Sequence, residues 1–201
     1  LTTSSAASDV YKRQIMNSNH FGIAGYHAMK ALPYDMIGMA MTNATPLIPP
    51  TNSKQAMLGT NPISYAFPTK NERPLVIDLA TSSVARGKIE IARREGSKIP
   101  KGWMIDKHGN ISQNVNELKE GGMLTPLGSM EDLGSHKGYA LGCLVDILSG
   151  VLSGGNFGKW VPPFVSFLPL LPNLPGKGLG HFVGAMEVDG FRSVEEFKTN
   201  M

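Results

Sequence analysis

One cluster in the sequence has the residue types needed for proton transfer. Residues 18–22 read SNHFG, which places His20 beside an aromatic side chain and a glycine. Histidine is the usual general base near neutral pH, because its unperturbed pKa is about 6.5. The cluster also fits a hydrogen-bonded structural histidine, so both roles stay open at this point. The other histidines show no metal-ligand spacing, and we expect no bound metal.

Two further clusters could bind phosphate groups at helix N-termini, where free N–H groups and the positive end of the helix dipole attract anions. One is the hydroxyl run at residues 81–83, which follows an apolar run ending in residues 78–80 (DLA). The other is the cationic run HKG at residues 136–138. Asp78 is placed to accept a hydrogen bond from a ribose hydroxyl. Simple helix caps are the alternative explanation, and the Rossmann fingerprint G-x-G-x-x-G is absent from the sequence.

The elements that must position these clusters are strands and helices in an irregular order. Short apolar or alternating runs bounded by turn residues predict strands, and longer runs of helix formers predict helices. Because the order has no regular βαβ alternation, it argues against a doubly wound sheet. The predicted strands are Met36–Thr42, Ile63–Phe67 and residues 74–80, 103–106 and 180–188. The strand at 74–80 leads through residues 81–83, which are good N-cap residues, into a predicted helix over residues 84–95. A second helix opens at 134–138, and its apolar residues at 141, 144, 145, 148, 151 and 152 predict that most of it is buried.

Composition narrows the function classes. The 201 residues include 19 Lys and Arg against 16 Asp and Glu, without a basic run, so we expect no nucleic-acid partner. The most apolar helical run, residues 139–153, is shorter than the roughly 20 residues of a spanning helix, and we expect no membrane partner. Residues 160–175 are too proline-rich for a helix and predict an apolar loop over a pocket or subunit surface, with peripheral membrane attachment as the minor alternative.

Two observations concern the compartment and the start of the chain. The single cysteine, Cys143, excludes an internal disulfide and fits a reducing compartment, so we expect a cytoplasmic protein. Residues 1–14 (LTTSSAASDVYKRQ) have no apolar period and resemble a translated vector join. We therefore expect them to be a non-native leader and make no structural prediction for them.

Eight ordered blocks of sequence resemble the malate/L-lactate dehydrogenase family, which includes ureidoglycolate and diketogulonate-type oxidoreductases. The similarity runs from Ile15 to about Val188, nearly all of the chain after the leader. A single block would be a weak signal, but eight in the same order are a strong one. The blocks are SNHFG at 18–22, MTNATPLIPP at 41–50, LGTNPISYAFP at 58–68, IDLATSSVARGKI at 77–89, PKGWMIDKHGN at 100–110, PLG at 126–128, HKGYALGCLVDILSGVLSG at 136–154 and GHFVGAMEVD at 180–189.

The resemblance implies a non-Rossmann α/β fold with a largely antiparallel sheet and flanking helices, a homodimer, and NAD or NADP as the hydride carrier. It implies that the protein oxidises a small 2-hydroxy acid, malate- or lactate-like, to the 2-keto acid, with His20 as the catalytic histidine. The residues implied in cofactor binding are Asn43, Asp78, Leu79, Ala80, Thr81, Ser82, His136, Lys137 and Gly138. A catalytically inactive, dimeric dinucleotide-binding homologue is the alternative.

Departures from the family pattern limit what the resemblance implies. Ala44 stands where some relatives have a cofactor-contacting serine, and residues 129–135 (SMEDLGS) lengthen the approach to Lys137. The family's N-terminal helical segment, with a second catalytic histidine and a substrate-binding arginine, has no counterpart in this sequence, nor has its C-terminal segment. We therefore expect residues 15–201 to be an incomplete NAD(P)-binding and catalytic domain, inactive when expressed alone.

Overall fold

Eight strands and four α-helices are described in the structure, a computed structural model that covers residues 10–163 and 170–201. In chain order they are β1 (Val10–Ser18), α1 (Ala24–Ala28), β2 (Met36–Thr42), β3 (Ile63–Phe67), β4 (Leu75–Leu79), α2 (Arg86–Glu95), β5 (Met104–Ile105), β6 (Ile111–Ser112), β7 (Met123–Leu124), α3 (Ser135–Asp146), β8 (Leu179–Glu187) and α4 (Val194–Asn200). Short 3-10 turns cover Met29–Tyr34, Val115–Lys119, Glu131–Leu133 and Gly158–Trp160.

A five-stranded sheet holds the fold together. Its strand order is β1-β8-β2-β3-β4, and every neighbouring pair is antiparallel. A second sheet has three short antiparallel strands in the order β6-β5-β7. The expectation of a mixed α/β fold with a largely antiparallel sheet and flanking helices is therefore confirmed.

The two faces of the main sheet are covered by different kinds of side chain. On one face, Ala24 and Ala28 of α1 pack against Ala40 of β2 and Ala66 of β3, and these small residues let the helix lie close to the sheet. On the other face, α3 packs on the sheet through Val145. A third apolar cluster joins α2 to the small sheet. The main sheet is thus packed between helices, while its strand ends stay free to carry loops.

The strand predictions agree closely with the structure. Strands β2 and β3 have the predicted bounds, β4 lies within residues 74–80, and β8 begins and ends one residue before the predicted 180–188. The predicted strand at residues 103–106 contains β5, which pairs with β6. Strand β1 was not predicted, because its exposed residues lack the alternating apolar pattern that marks a half-buried strand. Strand β1 lies at the edge of the sheet and includes residues 10–14. These residues belong to the predicted non-native leader, and their pairing in a strand does not test whether they are native.

The helix predictions need two corrections. Helix α2 begins at Arg86 rather than at residue 84. Its N-cap is Ala85, which makes no side-chain hydrogen bond to the helix, so the prediction that residues 81–83 cap the helix is wrong. The predicted burial of the second helix is also wrong for most of its apolar residues. Val145 is buried, but the exposed fractions of Leu141, Leu144, Val151 and Leu152 range from 40% to 57%.

The burial prediction for α3 failed for a geometric reason. Only one side of α3 faces the sheet, and the helix continues as a π-helical turn over Ile147–Val151. A π turn has more residues per turn than an α-helix, so it rotates the following side chains away from the predicted stripe. Among the described residues, no helix has the length and apolar character that crossing a bilayer requires. Of the predicted apolar loop at 160–175, residues 164–169 lie outside the described residues.

Candidate active site

The antiparallel register brings the candidate segments to one end of the main sheet. Ser18 at the end of β1 pairs with Leu179 at the start of β8. On the next strands, Thr42 pairs with His181, Met41 with Ile63 and Ile63 with Leu79. The loops that follow β1, β2 and β4 therefore leave the sheet at the same end, together with the loop that precedes β3. These loops carry His20, Asn43 and residues 80–82, and Asp78 and Leu79 lie at the adjoining end of β4.

His20 lies in the loop after β1, with its side chain exposed. The backbone amide of Gly22 donates a hydrogen bond to His20 Nδ1 at a distance of 3.0 Å. Asn19 Oδ1 accepts a hydrogen bond from the amide of His20 at a distance of 2.8 Å. Gly22 has a φ of +85°, a conformation that residues with a side chain rarely adopt. Because Nδ1 accepts a hydrogen bond, the proton of the neutral ring is on Nε2.

Three aromatic rings stack behind the His20 loop. Phe21 lies between His27 and His181, with ring centroids 4.6 Å apart on each side and interplanar angles of 14° and 7°. His181 is 3% exposed, and burial lowers the pKa of its imidazole, with part of the decrease offset by the nearby carbonyl of Asn19. Its Nδ1 is 2.7 Å from Thr42 Oγ1, whereas Nε2 makes no well-formed hydrogen bond to any described residue. The sequence patterns did not single out His181.

Asp78 contacts the other side of the His20 segment. Its Oδ2 accepts a hydrogen bond from the backbone amide of Gly25, in the first turn of α1, over 2.7 Å. Its second oxygen, Oδ1, makes no hydrogen bond to a described residue, and the residue is exposed. Asp78 therefore fixes the helix that follows His20 and still has one oxygen available for a ligand.

The side chains of Thr81 and Ser82 point into the protein. Thr81 Oγ1 lies 3.2 Å from the carbonyl oxygens of both Thr60 and Asn61, and Ser82 Oγ donates to the carbonyl of Val84 over 2.8 Å. Both residues are buried. Their hydroxyls therefore stabilise the loop after β4, and the backbone of this loop is what can face a ligand.

A residue that the sequence patterns did not single out, Asn61, joins three of the candidate segments. Its Oδ1 accepts a hydrogen bond from the amide of Ala44, next to Asn43, and its Nδ2 donates one to the carbonyl of Gly142 in α3. Both hydrogen bonds have a donor–acceptor distance of 3.0 Å. Its own carbonyl accepts from Thr81. Asn61 is completely buried and has a φ of +32°. An Asn-Pro turn beside a strand was the only signal in the sequence, and it indicated a turn rather than a site.

Asn43 lies in a buried polar network. Its Nδ2 donates to Asp146 Oδ1 over 3.1 Å and to the carbonyl of Asn156 over 2.7 Å, and its Oδ1 accepts from the amide of Gly180. Asp146 Oδ2 also accepts from the amide of Gly158, while burial raises the pKa of Asp146. Both Asn43 amide atoms are thus bonded within the protein. A cofactor contact at this position would come from the backbone of the loop.

The start of α3 carries the HKG run. His136 and Lys137 are exposed, and the side chain of Lys137 folds back beside Gly134 without an ion pair to a described residue. Gly138 is buried, and a Cβ at this position would collide with the carbonyl of Leu127. Gly138 therefore permits close packing of α3 against the loop after β7, while Lys137 keeps its charge available. A cleft of about 490 Å³ lies beside this helix start, between Pro49, Pro50, Ile105, Met130 and Ser135.

The comparisons with known proteins identify the family and support the fold. The model of the family described as malate/L-lactate dehydrogenase matches residues 13–201. The chain belongs to the malate/L-lactate dehydrogenase family. It is 48% identical to malate dehydrogenase of Pyrococcus horikoshii over 183 residues, which are 90% of this chain and 48% of that protein. It is 40% identical to malate/(S)-sulfolactate dehydrogenase of Methanothermus fervidus over 187 residues, 93% of this chain and 51% of that protein.

A solved structure shows the same fold. Malate dehydrogenase from Entamoeba histolytica matches with a TM-score of 0.83 and 35% sequence identity, covering 95% of this chain and 53% of that one. The chain thus spans about half the length of the relatives it matches. The predicted membership in the family is confirmed. The roles of the individual site residues stay predictions, because the comparisons identify no residues.

Proposed function

We propose that the full-length protein is an NAD(P)-dependent dehydrogenase that transfers a hydride between the cofactor and a small 2-hydroxy acid. The observation that carries the proposal is the convergence, at one end of the sheet, of His20, Asn43 and residues 78–82, which lie in the loops or at the strand end there. The start of α3, with Lys137, is tied to the same end through Asn61 and through the Leu127 amide, which donates to the carbonyl of Thr81. Family membership and the names of the relatives support the same chemistry.

Several features of the site fit a dinucleotide. Lys137 offers a free charge for the pyrophosphate, with His136 beside it, and Asp78 Oδ1 offers an acceptor for a ribose hydroxyl. Leu79, Ala80, Thr81 and Ser82 contribute backbone groups, Asn43 holds the loop after β2, and Gly138 lets α3 approach. The bound nicotinamide ring supplies the hydride acceptor in oxidation and the hydride donor in reduction. A relative from Chromohalobacter salexigens is named as NADP(+)-dependent, and we propose either NAD or NADP for this protein.

In the proposed mechanism, His20 handles the proton of the substrate hydroxyl. In the structure, neutral His20 carries its proton on Nε2, because Nδ1 accepts from Gly22. This state donates a hydrogen bond to the substrate oxygen. To accept the hydroxyl proton at Nε2, the ring needs the tautomer with the proton on Nδ1, and this requires the Gly22 contact to open. The glycine conformation at position 22 gives the loop the freedom for that step.

The substrate, the assembly and the compartment belong to the same proposal. The relatives are named as malate and sulfolactate dehydrogenases, so we propose a malate- or lactate-like 2-hydroxy acid. Its carboxylate would be held by an arginine, the residue that the family resemblance implies for this role. We propose a cytoplasmic homodimer with a small-molecule substrate and no nucleic-acid or membrane partner. A bound metal is not part of the mechanism.

The test uses the full-length protein. Malate, lactate, sulfolactate and ureidoglycolate are assayed with NAD and with NADP, and cofactor affinity is measured separately by calorimetry. We expect turnover with at least one pair, and a decrease in kcat of about 10²–10⁴-fold in His20→Asn with little change in cofactor affinity. Near-normal turnover of this variant would show that the base is another residue. Cofactor binding without any turnover would favour the inactive dinucleotide-binding homologue instead.

A further inference from the structure

His181 connects two sides of the candidate site through two different parts of its ring. The ring face stacks on Phe21, the neighbour of His20, with centroids 4.6 Å apart and planes within 7°. This contact stabilises one position of the loop after β1. Phe21 is stacked from its other side by His27, whose Nε2 lies 2.8 Å from the carbonyl of Phe21.

The edge of the same ring contacts the end of β2. His181 Nδ1 lies 2.7 Å from Thr42 Oγ1, and this hydroxyl is also within 3.1 Å of the carbonyl oxygens of Asn43 and Gly180. The tautomer of the ring sets which of the two atoms donates, and in either case this hydrogen bond, the shortest of the three, joins the His181 ring to the end of β2. His181 thereby stabilises the strand end that leads into the Asn43 loop. Its remaining nitrogen, Nε2, is buried without a well-formed hydrogen bond to a described residue, and such burial has an energetic cost.

We propose that His181 is a positioning residue that sets the spacing between the two sides of the site, holding the His20 loop by ring stacking and the Asn43 loop by its hydrogen bond to Thr42. This inference rests on the proposed function. A phenylalanine or leucine would fill the same space without burying a polar nitrogen, so packing alone does not explain a histidine here. The two contacts use separate features of one side chain, and substitutions can therefore separate them.

Two variants of the full-length protein test the inference. His181→Asn keeps an amide group near the position of Nδ1, which can donate to or accept from Thr42, and loses the stacked ring, so His20 should be displaced. We expect kcat to fall about tenfold or more, because small displacements of a reacting group are costly, with a smaller change in the KM for the dinucleotide. His181→Phe keeps the ring and loses the hydrogen bond to Thr42. Here we expect the dinucleotide KM to rise about tenfold and kcat to change less.

A second measurement is independent of turnover. Diethyl pyrocarbonate modifies exposed neutral histidines, and peptide mass spectrometry gives the modification rate of His20. We expect His181→Asn to change this rate several-fold and His181→Phe to change it little. The control is Val183→Ala, a truncation on the same strand and the same face as His181, where the side chain packs against the same alanine cluster as Phe21 but forms no part of the ring stack.

The outcomes separate the two proposals. If the two histidine variants change kcat, KM and the His20 modification rate by equal factors, or only as much as Val183→Ala does, the inference is overturned and His181 is merely structural. If the wild-type protein shows no dehydrogenase activity, the proposed function fails, but the modification rates still decide whether His181 positions the His20 loop.

Discussion

Replacing Asn61 with alanine should weaken both folding and cofactor binding, because this one side chain joins three loops of the site. The substitution leaves the Gly142 carbonyl and the Ala44 amide without their partner. An unpaired buried polar group costs about 1–3 kcal/mol, and the Ala44 amide is only half-buried, so we expect a loss of roughly 2–4 kcal/mol in the free energy of unfolding. Alanine is also less favourable than asparagine at a φ of +32°.

A matched control separates the effect on the site from the effect on stability. Asn156 is also completely buried, and its amide joins two backbone groups, donating to the Gly178 carbonyl and accepting from the Gly176 amide. Asn156→Ala should therefore destabilise the full-length protein by a similar amount. Only Asn61→Ala should also weaken dinucleotide binding strongly, by about tenfold or more, which corresponds to roughly 1.4 kcal/mol.

Urea unfolding and calorimetric titration with NAD and NADP measure the two quantities. The reasoning is refuted if Asn61→Ala leaves the free energy of unfolding within about 0.5 kcal/mol of the wild type, the range of ordinary surface substitutions. It is also refuted if both variants weaken cofactor binding equally. In that case Asn61 would hold the loops together without a specific effect on the cofactor segments.

Three further predictions follow from the same structure. Lys137→Ala should weaken dinucleotide binding by roughly 1.5–3 kcal/mol with an unchanged melting temperature, and unchanged affinity in calorimetry would make the HKG run purely structural. Burial raises the pKa of Asp146 in the folded protein above its ordinary value of 3.8. The stability from the protonated carboxyl is therefore complete below that pH and is lost as the pH rises through the folded pKa. In urea unfolding, the free energy of unfolding of the wild type minus that of Asp146→Asn should fall as the pH rises above about 4. The 201-residue chain expressed alone should associate through exposed apolar residues such as Leu144 and Leu152, and it should not oxidise hydroxy acids. A monodisperse, cooperatively melting sample that reduces NAD(P) with malate would contradict this prediction.

The sequence was sufficient for those features that depend on local patterns. Strands β2 and β3 have the predicted bounds, because each is a short apolar or alternating run between turn residues. The family assignment was also available, since ordered motif blocks identify relatives without a structure, and it is confirmed over residues 13–201. Strand β1 was missed because it is exposed, and exposure leaves no apolar period.

The tertiary structure decided what the polar residues do. Residues 81–83 have the composition of a helix N-cap, but Thr81 and Ser82 form hydrogen bonds within the loop and α2 begins without a side-chain cap. The burial of α3 was likewise set by which side meets the sheet and by the π turn that follows, and neither is encoded in the spacing of leucines.

The contributions of Asn61 and His181 could not be recognised from their sequence neighbours. Asn61 contacts groups 17 and 81 positions away, and the hydrogen bond of His181 to Thr42 spans 139 positions. A hydrogen bond depends on the distance and direction between two groups, whereas a sequence pattern reports only which groups are neighbours along the chain. The sequence determined which chemical groups are present and which strands form, and the antiparallel pairing of those strands determined which groups meet.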